Sequence, residues 1–161
     1  MDGLAPPLVG NYGTGVMDNR RFYKMSGSGN DFVFFDATDG DLSDLENPGA
    51  IRAVSARGTG VGADGVVFLE PDSDESFSIR YYNSDGSLGE LCGNATLCAT
   101  RLANELGIVS AGEITIQTDA GVIAARVSDG LPEIDLAAVS EVLTFAISSS
   151  DNNPMIASRA T

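Results

Sequence analysis

ELCGNATLCATRLANELG, residues 90–107, decides how this chain is read. Asp85-Gly86 breaks the chain upstream and Gly107 closes a helix-like run, so a helix is expected over 93–106. Ala95, Cys98, Ala99, Leu102 and Leu106 fall at helical spacing and form one buried stripe. Arg101, Asn104 and Glu105 lie off it, and Leu97 shares their polar side. Cys98 belongs to the stripe and reads as a small core residue. Cys92 falls at or just before the first helical turn. Amide N–H groups there lack intrahelical partners and the dipole is positive. A thiolate at Cys92 is stabilised by both, which lowers its pKa below the free value of about 8.5. Such a thiol can be a nucleophile, a base, a redox centre or a small buried residue. Gly93 lets the backbone approach a ligand closely, and the N–H groups of Gly93 and Asn94 suit a carboxylate.

Outward from this helix the pattern changes to strands. Residues 21–25 (RFYKM) and 32–36 (FVFFD) read as strands bracketing the SGSGND turn. A short helix is expected over Pro48–Arg57, capped by Asn47. VVFLE (66–70) and SFSIRYY (76–82) are strand-like, and NSDG (83–86) is turn chemistry. Beyond Gly107, GEITIQTD and GVIAARVSDG alternate as two strands joined at Asp-Ala-Gly, with PEIDL as a further one. Strands before and after one buried helix give an α+β domain, a sheet curling around that helix. Residues 1–20 read as an irregular leader. Residues 143–161 lose the pattern and carry no further strand signal, as a frayed tail or the start of a second domain would.

The totals exclude several function classes. The 161 residues suffice for one domain, and no apolar run approaches the ~18 residues of a membrane span. The N-terminal segment lacks the basic cluster and apolar core of a secretory signal, which points to the cytoplasm. With 23 acidic and 9 basic side chains, net charge −14, there are too few cations for a nucleic-acid surface. A small polar or zwitterionic molecule is the easier partner. Cys92 and Cys98 on one helix stand about 9 Å apart along the axis, too far for a disulfide. Two cysteines and no histidine also make a poor zinc site. The same separation and the absence of a CxxC pair argue against a dithiol redox protein.

Two other segments bring uncharged polar groups. SGSGND (26–31) sets Asn30 before a strand, and YYNSDG (81–86) sets Asn83 just after one. Asparagines in such places commonly bond the local backbone of turns, and a ligand is the alternative. GTGVGADG has the glycines of a dinucleotide fingerprint but neither the entering strand nor the leaving helix, so a nucleotide cofactor is not expected. Lys24 is the sole lysine, and no P-loop spacing surrounds it.

Taken together, KMSGSGNDFVFFD (24–36), GVGADGVVFLE (60–70) and YYNSDGSLGELCGNATLCATRLANELG (81–107) resemble diaminopimelate epimerase, in the family's order and spacing. The resemblance covers residues 21–142 and is to the N-terminal half of an enzyme built of two similar domains. It implies a curved, mostly antiparallel sheet around a central helix, and an active site between the two domains. It also implies cofactor-free stereoinversion at an α-carbon: one thiolate removes the α-proton and a thiol on the opposite face returns one. By motif match Cys92 is the first catalytic cysteine, Asn30 and Asn83 contact substrate, and Gly93 and Asn94 form the carboxylate-binding turn. The implied partner is an amino acid of the diaminopimelate type, on the route to lysine and cell-wall precursors.

The match has departures. Ser26 and Ser28 replace bulkier residues of the family's KMHGLGNDF pattern. Ala95 stands for the second glycine of CGNG, and Leu97 for a common arginine. These bear on substrate preference more than on fold. The family's second cysteine lies in its C-terminal domain, and Cys98 is no substitute because its position faces the core. Three readings follow. This chain is one half-site of an epimerase, inactive or nearly so alone. Alternatively it is a racemase half completed by a partner chain, through a homodimer or a separate C-terminal domain. Otherwise it is a module that binds an amino acid without turnover.

Overall fold

The computed structural model describes residues 8–12, 20–38, 40–136, 145–148 and 156–159. The strands are β1 (Leu8–Tyr12), β2 (Arg20–Gly27), β3 (Asn30–Asp36), β4 (Gly65–Glu70), β5 (Phe77–Asn83), β6 (Leu88–Gly89), β7 (Gly112–Thr118), β8 (Gly121–Ser128), β9 (Leu131–Ile134), β10 (Phe145–Ser148) and β11 (Ile156–Arg159). Among the described residues two helices, α1 (Pro48–Ser55) and α2 (Gly93–Glu105), complete the set, with a 3-10 turn at Ser43–Leu45. Among the described residues β1 to β9 form one sheet in the order β1-β2-β3-β4-β5-β7-β8-β9, with β6 flanking β5. Pairing is antiparallel except for β3·β4 and β5·β7. The fold is the expected α+β type.

The apolar runs of β3 and β4 explain the layering. A strand buried on both faces reads as continuous hydrophobics rather than alternation. Phe32, Phe34, Val67 and Leu69 face α2. Val33, Phe35, Val66 and Phe68 face the other way, onto Leu45 and onto Ile51 and Val54 of α1. Each fully buried phenylalanine contributes about 1.5–3 kcal/mol of transfer free energy.

Helix α2 contacts β2, β3, β4 and β5, and also β8 and β9 from the far end of the sheet. Strands so distant in the sheet order reach one helix only if the sheet curls around it. That wrapping widens the buried stripe. Ala95, Cys98, Ala99 and Leu102 are buried as expected, but so are Thr96, Thr100 and Ala103, while Leu106 is half-buried. The two threonine hydroxyls are satisfied by carbonyls one turn back, on Cys92 at 3.0 Å and Thr96 at 2.8 Å. Gly107, at φ 75°, ends the helix. The amides of Ile108 and Gly107 close onto the carbonyls of Ala103 and Asn104, a Schellman arrangement. Helix α1 is entered as expected, with the Asn47 side chain accepting from the Ala50 amide at 3.0 Å.

Several elements differ from the sequence reading. The glycine-rich turn is tighter than SGSGND suggests: Ser28 and Gly29 alone form it, at φ 51° and 90°. Positive φ at both positions marks a primed turn that matches strand twist. Within the segment read as an irregular leader, Leu8–Tyr12 pairs with β2. Within 143–161, read as carrying no strand, β10 and β11 pair with each other as a two-stranded ribbon. Among the described residues no helix is long and apolar enough to cross a membrane.

Candidate active site

Cys92 is the N-cap residue of α2, with extended backbone at φ −131° and ψ 109°. Its side chain makes no capping bond, so the thiol is not committed to the helix. Intrahelical bonding starts with the Thr96 amide on the Cys92 carbonyl, at 2.9 Å. The amides of Gly93, Asn94 and Ala95 precede that point and have no intrahelical acceptor, which favours an anion beside them. Cys92 is half-buried, whereas Cys98 is sealed in the core and its thiol is pushed up to about 11 by burial. A Cβ added at Gly93 would meet only Ile134 and Leu136 carbons, both at 3.9 Å. Packing therefore does not require glycine there.

Asn30, at the start of β3, reaches Asn94 across 64 residues of sequence. The Asn94 side-chain amide donates to Asn30 Oδ1 at 2.8 Å, and Asn30 Nδ2 donates to Asp64 Oδ2 at 3.2 Å. Asp64 is the hub of this corner. Its carboxylate also accepts from the Asp31 amide and from Arg57, while its carbonyl accepts the Ser84 amide beside Asn83. Arg57 spans Asp31 and Asp64, each at 2.7 Å, and Lys24 pairs with Asp31 at 2.9 Å and with the Gly62 carbonyl. Arg57 above all, with Lys24, holds the Asp31 carboxyl well below the usual carboxylate range. The two aspartates in turn raise the Arg57 guanidinium above its ordinary value.

Asn83 ends β5. It accepts from the Tyr81 hydroxyl at 2.9 Å and donates to Ser87 Oγ at 3.0 Å. Tyr81 and Cys92 each pack against the core around α2, and the Tyr81 phenol is pushed up to about 12 by burial, then by Cys92. The structure thus joins Asn30 to Asn94 directly, and ties Asn83 to Tyr81. Lys24, Asp31, Arg57, Asp64 and Tyr81 were missed as site residues. Charge is hardly denser in KMSGSGND or GVGADG than along the whole chain, so the paired tyrosines before Asn83 were the one local signal. Ala95, where the family has glycine, is fully buried against the core. Nothing in the structure explains Leu97.

A family model for diaminopimelate epimerase matches residues 22–138. The chain belongs to the diaminopimelate epimerase family. It is 48% identical over 122 residues to diaminopimelate epimerase of Gemmatimonas aurantiaca, covering 75% of this chain and 44% of that one. Against the Aquifex aeolicus enzyme it is 46% identical over 114 residues, covering 66% and 40%. The chain therefore spans less than half the length of these curated relatives. Among solved structures, a hydroxyproline epimerase from Agrobacterium vitis superposes with a TM-score of 0.59 at 17% identity, covering 86% of this chain and 47% of that one. A probable proline racemase from Agrobacterium radiobacter gives 0.58 at 16%, with the same coverages. At that identity the likeness is one of fold alone, and it agrees with the curled sheet of this diaminopimelate epimerase family member.

Proposed function

We propose that this chain supplies one half-site of a cofactor-free amino-acid epimerase acting on L,L-diaminopimelate or a close analogue. Cys92 as thiolate takes the α-hydrogen as a proton, leaving the electron pair on the α-carbon and its carboxylate. A protonated thiol on the opposite face, from outside the described residues, then delivers a proton to that carbon. Two groups are required because a lone base returns the proton to the face it came from. Negative charge grows on the carboxylate during the step, and amides aimed at it lower the barrier. Gly93 and Asn94 are assigned that task, and Asn30 and Asn83 the remaining substrate contacts. The observation that carries the reading is the uncapped, half-buried thiol at the head of α2, flanked by paired asparagines.

The opposite half comes from a further domain of a longer chain or from a partner chain, a second copy included. Exposed Leu91 and Leu136 beside Cys92 and Gly93 suit such a covering surface. Two free thiols and no disulfide fit a reducing compartment, and we assign the protein to the cytoplasm. The test is to incubate the chain with L,L-diaminopimelate in deuterium oxide and follow the α-hydrogen by proton NMR. A half-site exchanges hydrogen for deuterium with little inversion, and Cys92→Ala lowers the rate by about 10²–10⁴. Inversion on adding a complementing chain identifies the missing half. Binding without exchange, indifferent to Cys92→Ala, defeats the proposal in favour of a binding module.

A further inference from the structure

We propose that Asp64 is a positioning residue of this site, its carboxylate setting the polarity of the Asn30–Asn94 amide pair and so fixing what the head of α2 presents to a substrate; this rests on those asparagines facing the substrate. The polarity follows from a one-way chain of hydrogen bonds. An ionised carboxylate only accepts, so the end of the Asn30 amide that meets Asp64 Oδ2, at 3.2 Å, is its nitrogen. That turns Asn30 Oδ1 toward α2, where it accepts from Asn94 Nδ2 at 2.8 Å. The opposite orientation would set a carbonyl oxygen against a carboxylate oxygen. The carboxylate is itself aimed: Arg57 donates to Oδ1 at 2.7 Å, and the Asp31 amide donates to Oδ2 at 3.2 Å. Cys92 caps α2 and Asn94 is the second residue of that helix, so holding the Asn94 side chain ties the amide-bearing turn to the start of β3. Each asparagine amide also keeps one N–H outside this chain of bonds, a donor suited to a carboxylate.

The Asp64 side chain is not needed to close the sheet. The backbone of that residue does so, its amide donating to the Asp31 carbonyl at 2.8 Å and its carbonyl accepting the Ser84 amide at 3.1 Å. Nor is the side chain core filler, since it is 40% exposed. Arg57 is 60% exposed, and an ion pair so open to water adds little stability. What the carboxylate provides is direction. Arg57 engages one oxygen, which leaves the other to the Asn30 amide and the Asp31 N–H. The backbone bond to Ser84 sets the same residue beside Asn83, so Asp64 stands between the two segments that carry Asn30 and Asn83.

The test uses the full chain labelled with carbon-13 and nitrogen-15. Scalar coupling across a hydrogen bond links the donor nitrogen to the carbonyl carbon of its acceptor. In the wild type it links Asn94 Nδ2 to Asn30 Cγ. Asp64→Asn keeps the shape of the side chain but supplies an N–H. Its oxygen stays with Arg57, its nitrogen faces Asn30, and the amide pair reverses. The wild-type coupling is then lost and one from Asn30 Nδ2 to Asn94 Cγ replaces it. Binding of L,L-diaminopimelate, followed on the Gly93 backbone amide, weakens about tenfold in Asp64→Asn, the worth of one hydrogen bond. A wild-type coupling that survives Asp64→Asn overturns the proposal, and so does an unchanged affinity. If Asp64→Asn fails to fold, the wild type decides alone: a coupling from Asn30 Nδ2 to Asn94 Cγ there overturns it. Failure of the half-site reading is seen separately, from the substrate α-hydrogen: a chain whose couplings reverse as stated but which binds and exchanges nothing keeps the Asp64 assignment and loses that one.

Discussion

Cys92 and Cys98 carry the same chemistry in opposite surroundings, and the difference is set by half a dozen positions along one helix. Iodoacetamide in limiting amount at pH 8 labels Cys92 first, because Cys98 is inaccessible and burial holds its thiol near 11. Fragment-ion mass spectrometry locates the adduct; label on Cys98 in the native chain would sink the site assignment. The Asp31 carboxylate makes a second prediction. Its folded pKa is depressed, so the stabilisation is present above the unfolded value of about 3.9 and is lost as pH falls from there through the folded value. Asp31→Asn costs about 1 kcal/mol at pH 6, near the low end for charged hydrogen bonds because Arg57 stands largely in water. Urea melts at pH 6 and pH 2.5 check it: the gap between wild type and variant narrows at the lower pH. The place of Cys92, Gly93 and Asn94 at the head of α2 was legible because a cap position and its amides are local. Asp64 was not, because its meaning lies in Asn30 and Asp31, more than thirty residues away.

At the scale of elements, legibility follows how much of an element's environment is contained in its own sequence. Asn47-Pro48 announces α1, and β3 and β4 announce burial on both faces. Helix α2 was legible only in part. Its spacing gave one stripe, but Thr96 and Thr100 are buried because the sheet returns to the helix through β8 and β9, which no local pattern records. Small residues make that double contact feasible. Ala99→Leu therefore destabilises by about 1–3 kcal/mol through overpacking, although leucine is the better core residue by hydrophobicity. Asn47→Ala, which removes one cap bond at the exposed start of α1, costs about 1 kcal/mol. Chemical denaturation of the two variants ranks them, and a larger loss for the cap than for the alanine would contradict the wrapped-helix account. The hairpin between β2 and β3 predicts a gain. Ser28 sits at φ 51° without the αL tolerance of asparagine, so Ser28→Asn raises the melting temperature.

For the molecule as a whole, the decisive quantity is a net charge of −14 carried on 161 residues. Arg20, Lys24, Arg57, Arg80 and Arg126 are each held against at least one carboxylate of the chain itself. The proposed function accordingly assigns a substrate carboxylate to the uncommitted amides at the head of α2 rather than to these engaged cations. The acidic excess has a cost in stability. A chain of this length has a radius of gyration of about 15 Å. At 10 mM salt the screening length is about 30 Å, so every acidic group repels every other across the molecule. Near 0.3 M it shrinks to about 6 Å, leaving short contacts such as Arg57 with Asp31 and Asp64 partly intact while long-range repulsion disappears. Sodium chloride should therefore raise the melting temperature between these concentrations. A gain of about 1 kcal/mol corresponds to roughly 3 °C for a chain of this size. Calorimetry at pH 7 measures it, and a melting temperature that falls with salt would mean that the local ion pairs outweigh the repulsion.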